Sequence, residues 1–304
     1  METNMEMDRQ SQAAQAALLA HYAPRTQVRR VRWSQGATRV LELGTGSPLL
    51  LVHGGLSSVS EWVPVLPALA RSHRVIAIDR PGHGMADAFD YRGVDLLAHA
   101  SRFLGDIMDA LGIASADVVG NSMGGLYALA LALDTPERVS RLVLAGKPVG
   151  CDRHVPKQLR LLGLPLVGQW LGRRLLSNIT RDDNRKFWEE LLVARPEMID
   201  DSLLDADVAH TRRNVDAMLG LIKCLAARGG IRHGLVLGER WAQLRMPTAF
   251  LWGEHDAFGP PEQGEAIAAR NPNLRVIRIP RAGHLPWIDQ PDRVVSEIIL
   301  FLAS

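Results

Sequence analysis

The pentapeptide Gly120-Asn121-Ser122-Met123-Gly124 sets a serine between two glycines at the junction of two patterns. Before it runs Asp117-Val118-Val119, with strand character, and after it Gly125 to Ala132, an Ala/Leu-rich stretch with helix character. A serine on a tight strand-to-helix turn points its hydroxyl outward above a sheet. Glycine on either side accepts a turn too crowded for a Cβ. The N-terminus of the following helix aims N–H groups at the same spot and favours negative charge there. A serine hydroxyl is a weak nucleophile until a neighbouring base takes its proton. His284 has the type for that work, because an imidazole with a near-neutral pKa can take a proton and return it. It follows the apolar run Val276 to Ile279 across Pro280-Arg281-Ala282-Gly283, with Gly283 predicted to provide a sharp turn. Asp256 follows Thr248 to Trp252 across Gly253-Glu254-His255 and can orient the imidazole and stabilise its cation. Glu254 is the competing acid.

These residues need a scaffold, and the hydrophobic pattern supplies one. Val28 to Trp33 and Arg39 to Leu43 alternate as a hairpin around Gln35-Gly36. Leu49 to Val52 reads as a buried strand, Ser60 to Arg71 as a helix with Pro64 and Pro67 near its start, and Arg74 to Ile78 as a strand. Val94 to Leu111 carries apolar residues at helical spacing, and Arg141 to Ala145, Thr248 to Trp252 and Leu274 to Ile279 complete the strands. Alternating strands and helices predict a mostly parallel sheet covered on both faces. Residues 1-24 read as an appended arm in which Gln10 to Tyr22 favours a short Ala-rich helix. Between residues 146 and 245 clear buried strands vanish, helical segments alternate with Pro and Gly breaks, and 17 Lys/Arg face 12 Asp/Glu.

The chain order Ser122, Asp256, His284 is that of the α/β-hydrolase triad. The run Pro48 to Val52 into His53-Gly54-Gly55, the turn Asp79-Arg80-Pro81-Gly82-His83-Gly84, and Pro260 four residues past Asp256 complete the resemblance. Over roughly residues 28 to 303 the chain resembles the α/β-hydrolase superfamily. That resemblance implies an α/β fold with helices on both faces of a mostly parallel sheet. It implies a core of residues 25-145 and 246-304 with a helical cap at 146-245 over the pocket. By motif match the oxyanion donors are the backbone N–H groups of Gly55 and Met123, with Leu56 as the substitute for Gly55. His53 is expected to hold its loop, and Asp79 and His83 to stabilise a turn.

A serine at the elbow sets the chain apart from haloalkane dehalogenases and epoxide hydrolases, which carry aspartate there. Gly120 to Gly125 matches the G-N-S-M-G-G elbow of the carbon–carbon bond hydrolases of aromatic degradation. Their cap arginine, which holds a substrate carboxylate, corresponds to Arg195. Two departures weigh against them. Their H-G-x-G-P-G loop is replaced by His53-Gly54-Gly55-Leu56-Ser57-Ser58, and Leu285 rather than tryptophan follows His284. The sequence therefore ranks carboxylic ester or lactone hydrolysis through an acyl-enzyme first. Carbon–carbon hydrolysis of a vinylogous diketone acid ranks second, ahead of amide cleavage, and a hydrolase-like ligand receptor is the reading from a different class. Arg195 and Trp287 are the candidate substrate-binding residues. Leu161, Leu164, Leu166, Trp170 and Phe187 are candidates for an apolar wall.

Composition narrows the partners. Net charge is +2 without a long run of like charge, which argues against nucleic acid. Cys151 and Cys224 are read as free thiols without metal-ligand spacing. No metal and no organic cofactor is implied. The acidic, polar N-terminus lacks a secretory pattern, and no apolar run approaches the ~20 residues of a membrane span. The expectation is a cytoplasmic enzyme acting on a small, partly apolar molecule, with homo-oligomerisation left open.

Overall fold

A computed structural model describes residues 2 to 304 except 161, 163 to 166 and 228 to 229. Leu161, Leu164 and Leu166, expected as pocket candidates, therefore lie outside the described residues. Helix α1 spans Glu2–Tyr22 and is followed by strands β1 (Gln27–Trp33), β2 (Gly36–Leu43), β3 (Pro48–Val52) and β4 (Arg74–Ile78), with α2 (Leu66–Leu69) between the last two. Next come α3 (Leu96–Ala110), β5 (Ala116–Asn121), α4 (Ser122–Asp134) and β6 (Val139–Ala145). An insertion then carries α5 (Lys157–Arg160), α6 (Val167–Ser177), α7 (Arg181–Leu191), α8 (Asp201–Arg213) and α9 (Val215–Leu225), and a short ribbon of β7 (Ala226–Ala227) and β8 (Gly230–Ile231). The chain closes with β9 (Thr248–Gly253), α10 (Glu262–Ala268), β10 (Leu274–Ile279), α11 (Pro286–Asp289) and α12 (Pro291–Ala303).

Among the described residues, eight strands form one sheet in the order β1-β2-β4-β3-β5-β6-β9-β10. β2 is antiparallel to both β1 and β4, and every pairing from β4 to β10 is parallel. The apolar run in β3 is explained by burial on both faces: Leu50 and Val52 join the core under α3 and α4, while Leu49 and Leu51 join the core under α2 and α12. Register aligns the carboxyl ends of the parallel strands, pairing Val52 with Gly120, Asn121 with Ala145 and Ala145 with Leu251. The loops that follow β3, β5, β6, β9 and β10 thus leave the same edge, where open α/β sheets build their sites.

Three local expectations are corrected. The segment Ser60 to Arg71 is not one helix. A 3₁₀ helix over Val59–Val65, capped by the Ser58 hydroxyl accepting from Ser60 N–H at 3.3 Å, precedes the single turn of α2. Pro64 has no N–H to donate, so it breaks an α-helical ladder there. The N-terminal helix is longer than its Ala-rich half. It is also docked: Leu18 is buried, Ser11 donates to the Ala209 carbonyl (3.0 Å), Gln15 to the Ser60 hydroxyl (3.3 Å), and Arg213 pairs with Asp8 (2.5 Å). The arm thereby ties α8 of the insertion to the segment after β3. The insertion also holds the β7–β8 ribbon where no strand was expected. Its pairing is antiparallel and stands apart from the main sheet.

Candidate active site

The turn between β5 and α4 bears Ser122 at φ +50°, a left-handed conformation that L-residues rarely adopt. Crowding imposes it. A Cβ on Gly120 would meet the Gly124 carbonyl oxygen at 2.5 Å, and one on Gly124 would meet the Val52 carbonyl oxygen at 2.1 Å. Only glycines allow α4 to approach β3 this closely, and the strained serine is the consequence. Its neighbour Asn121 fixes the turn from below. Asn121 Nδ2 donates to the Ala145 carbonyl (2.7 Å) and to the His284 carbonyl (3.1 Å), so the loop after β10 is stitched to the elbow.

His284 is buried, and its Nδ1 lies 2.9 Å from both Asp256 carboxylate oxygens. Asp256 is itself held, accepting from Lys147 N–H (2.8 Å) and Phe258 N–H (2.9 Å). An acceptor at Nδ1 fixes that nitrogen as the protonated one, and Nε2, buried without a partner among the described residues, is left free to accept. Phe258 stacks on the imidazole at 3.9 Å between ring centroids. Glu254, the competing acid, is exposed, and among the described residues it is Asp256 that holds the ring.

Gly283 does not occupy the left-handed region, and glycine is needed at this bend for a steric reason. A Cβ there would meet the Leu192 carbonyl oxygen at 2.8 Å and the Ala194 nitrogen at 3.0 Å. The Asp289 carboxylate cements the same contact, accepting from Gly283 N–H (2.7 Å), Arg195 N–H (2.8 Å) and Ala194 N–H (3.1 Å).

A cavity of about 650 Å³ opens above the sheet edge. Gly55, Leu56, Ser122, Met123, Lys147 and Phe258 form its floor. The insertion supplies the opposite wall, including Val155, Leu221, Leu225 and Ile231. Both residues matched to the oxyanion donors, and the alternate Leu56, therefore face the space that Ser122 faces. Lys147 is a buried cation here. Its ammonium donates to both Asp152 carboxylate oxygens (2.8 Å each) and to the Phe258 carbonyl (2.9 Å).

The two candidate substrate-binding residues sit elsewhere. Arg195 is not among the lining residues. Its guanidinium bonds Glu197 (2.9 Å) and the Asp289 carbonyl (3.0 Å), at the contact that backs the histidine loop. Trp287 is core. It stacks on Trp62 at 3.9 Å and donates to the Glu61 carbonyl at 2.7 Å. Trp170 is exposed, and Phe187 packs within a core cluster rather than against the cavity.

His53 holds the loop after β3, as expected, and two residues that the sequence did not single out, Arg80 and Glu61, hold it with His53. His53 is neutral, since burial and then the Arg80 charge push its pKa well down. Its Nδ1 donates to the Gly54 carbonyl (2.9 Å), and its Nε2 accepts from Arg80 N–H (2.9 Å). Arg80, fully buried, reaches the carbonyls of His53 (3.1 Å), Gly54 (2.5 Å) and Gly55 (2.8 Å). Glu61 accepts from Gly54 N–H at 3.0 Å, and burial raises its pKa to about 8. No spacing rule points to Arg80 or Glu61; the nearest signal is a charged residue inside an otherwise turn-forming Asp-x-Pro-Gly segment.

The family model for the alpha/beta hydrolase fold matches residues 47–291, and the chain belongs to that family. Among curated proteins it is 30% identical to a 2-hydroxy-6-oxononadienedioate/2-hydroxy-6-oxononatrienedioate hydrolase of Burkholderia vietnamiensis, over 86% of this chain and 89% of that one. It is 29% identical to a 2-hydroxy-6-oxo-6-phenylhexa-2,4-dienoate hydrolase of Burkholderia cepacia, over 86% of this chain and 90% of that one. Among solved structures it superposes on the carboxylesterase CesB of Bacillus subtilis with a TM-score of 0.79, at 19% identity over 99% of both chains, a likeness of fold. The chain is an α/β-hydrolase enzyme; it is similar in sequence to proteins named as 2-hydroxy-6-oxo-dienoate hydrolases and shares its fold with a carboxylesterase.

Proposed function

We propose that the chain is a serine hydrolase that cleaves a carbon–carbon bond in a vinylogous diketone acid. This reverses the order drawn from the sequence, which put ester hydrolysis first. The relatives support the reversal: proteins named as dienoate hydrolases match along almost their whole length. The observation that supports the hydrolytic part is the His284–Asp256 pair, whose other ring nitrogen is buried without a partner among the described residues, with the His284 carbonyl bonded to Asn121 of the turn that bears Ser122.

In this reading His284 Nε2 takes the Ser122 proton, and the alkoxide attacks a carbonyl of the substrate. The N–H groups of Gly55 and Met123 hold the oxyanion. The imidazolium, steadied by Asp256, then gives its proton to the departing carbon, and water repeats the cycle on the acyl-enzyme. The insertion of residues 146-245 acts as the cap that closes the cavity over the substrate, and the arm of residues 1-24 braces it.

A second reading, hydrolysis of an uncharged ester or lactone, has a specific observation in its favour. Among the described lining residues Lys147 is the one lysine or arginine, and Asp152 and Phe258 already engage its ammonium. A carboxylate substrate must displace Asp152, whereas a neutral ester need not. The deciding experiment measures kcat/KM for a vinylogous diketone acid and for p-nitrophenyl butyrate, with wild type and Ser122→Ala. The carbon–carbon reading expects the diketone acid to be the better substrate. Turnover of the ester alone favours the second reading. Tight binding without turnover of either compound, or full activity in Ser122→Ala, removes the hydrolase proposal.

A further inference from the structure

Arg80 is buried, always cationic by its chemistry, and has no carboxylate within ion-pair distance among the described residues. An isolated buried charge is costly, and proteins keep one where it has carbonyl partners and a use. Here the partners are three consecutive carbonyls, those of His53, Gly54 and Gly55, and the Tyr127 ring lies 5.4 Å from the guanidinium carbon. The use follows from peptide geometry. In a planar trans peptide the C=O of one residue and the N–H of the next point in opposite directions. Arg80 pulls the carbonyls of Gly54 and Gly55 to itself. The N–H groups of Gly55 and Leu56, on the far sides of those planes, must face away from Arg80. No described residue accepts from either N–H, and both residues line the cavity beside Ser122.

We infer that Arg80 is the positioning residue of the oxyanion hole: by gripping the carbonyls of Gly54 and Gly55 it aims the Gly55 N–H, with that of Leu56, at the oxygen that becomes negative. The same contacts polarise those peptides, since a cation on a carbonyl makes the attached N–H a stronger donor. The field has the right sign for an oxyanion. The neighbouring groups leave it intact: His53 and His83 are held neutral by burial and by Arg80 itself. Glu61 completes the clamp from the other side through Gly54 N–H.

The inference rests on the hydrolytic reading, so the test separates the two. Wild type, Arg80→Met and Arg80→Lys are assayed for kcat and KM on p-nitrophenyl butyrate. Inhibition is measured with a trifluoromethyl ketone, which forms an anionic tetrahedral adduct with the serine, and with butyrate, which does not. Loss of one oxyanion donor costs about 100- to 1,000-fold in kcat. Arg80→Met is expected to lower kcat about 100-fold with KM within about 3-fold, and to weaken the trifluoromethyl ketone in parallel while butyrate binding stays. Arg80→Lys keeps the charge on a shorter stem with fewer donors in reach and is expected to fall between. It decides the matter if the methionine variant does not fold. Folded variants with wild-type kcat and ketone inhibition overturn the inference, as does an equal loss of ketone and butyrate binding. A wild type that neither turns over substrate nor binds the ketone overturns the hydrolase reading instead.

Discussion

Replacing Asp256 by asparagine removes one charge and one acceptor from a carboxylate whose every neighbour is a donor. Lys147 N–H and Phe258 N–H approach its two oxygens at 2.8 and 2.9 Å, and His284 Nδ1 lies 2.9 Å from each. An asparagine offers one oxygen and one NH2 group. In either orientation the NH2 faces a backbone N–H, leaving a buried donor unsatisfied at a cost of about 1 to 3 kcal/mol in stability. If the amide oxygen turns to Phe258, the NH2 faces both Lys147 N–H and the ring. The imidazole then relieves the clash by taking the tautomer protonated at Nε2, which cannot accept the Ser122 proton. If it turns to Lys147, the NH2 faces Phe258 N–H and the ring alike, since Nδ1 lies 2.9 Å from both positions, and the ring again loses its anionic partner. Tautomer loss of this kind costs about 10⁴ in kcat, or roughly 5.5 kcal/mol of barrier. Steady-state kinetics of Asp256→Asn on p-nitrophenyl butyrate, with urea unfolding of the same preparation, is expected to give that fall alongside a modest stability loss. The exposed Glu254 changed to glutamine should stay within about 3-fold of wild type. An Asp256→Asn enzyme within tenfold of wild type would refute the reasoning.

Two further outcomes are expected. Burial raises the Glu61 pKa to about 8, above the ordinary value of 4.5, so the folded state holds a proton that the unfolded chain releases between those limits. Glu61 therefore lends its full stabilisation at acidic pH and loses it as pH climbs from about 4.5 through 8, by an amount on the order of a few kcal/mol. Urea unfolding at pH 5 and 8.5 should show a steeper decline in wild type than in Glu61→Gln, and matching declines would count against the assignment. Gly283→Ala forces a Cβ to 2.8 Å from the Leu192 carbonyl oxygen, so the histidine loop must shift. The expected result is a kcat at least tenfold lower with little change in far-UV circular dichroism, and an unaltered kcat would show that the loop has slack.

The sequence revealed what each strand leads to, because the chemistry-bearing residues follow strand ends by short turns. The Asp256–His284 pair and the turn that bears Ser122 were legible for that reason, as was the sheet, whose strands are short runs of buried apolar residues. What was not legible depends on contacts between loops distant in sequence. Arg195 carries the right side chain at the matching position, yet Asp289 captures its backbone and its guanidinium. Trp287 carries the right ring, yet Trp62 offers it a stacking partner in the core. Arg80 and Glu61 act on residues 53 to 55 across turns that no periodicity links to them. The helix expected over Ser60 to Arg71 failed on a local rule, the missing donor of Pro64, that the pattern of apolar residues outweighed. The arm was underestimated because its first half is polar, while its anchoring hydrogen bonds come from Ser11 and Gln15.

A pattern in the buried carboxyls recurs around the site. Four buried carboxyls grip backbone N–H groups of loops at the sheet edge. Glu61 takes that of Gly54, Asp79 those of Val59 and Met85, Asp256 those of Lys147 and Phe258, and Asp289 those of Gly283, Ala194 and Arg195. A buried loop lacks the ladder of a helix or sheet, so its N–H groups need acceptors, and a carboxylate serves two or three at once. Asp256 is therefore built like its three counterparts, and its distinction is the imidazole at its remaining lone pairs. Loops fixed in this way cannot relax around a ground-state substrate, and their N–H groups stay aimed where charge will develop. In the proposed mechanism, stiffness at the sheet edge, rather than any single residue, is what lets a strained serine and an imidazole work together in a largely apolar cavity.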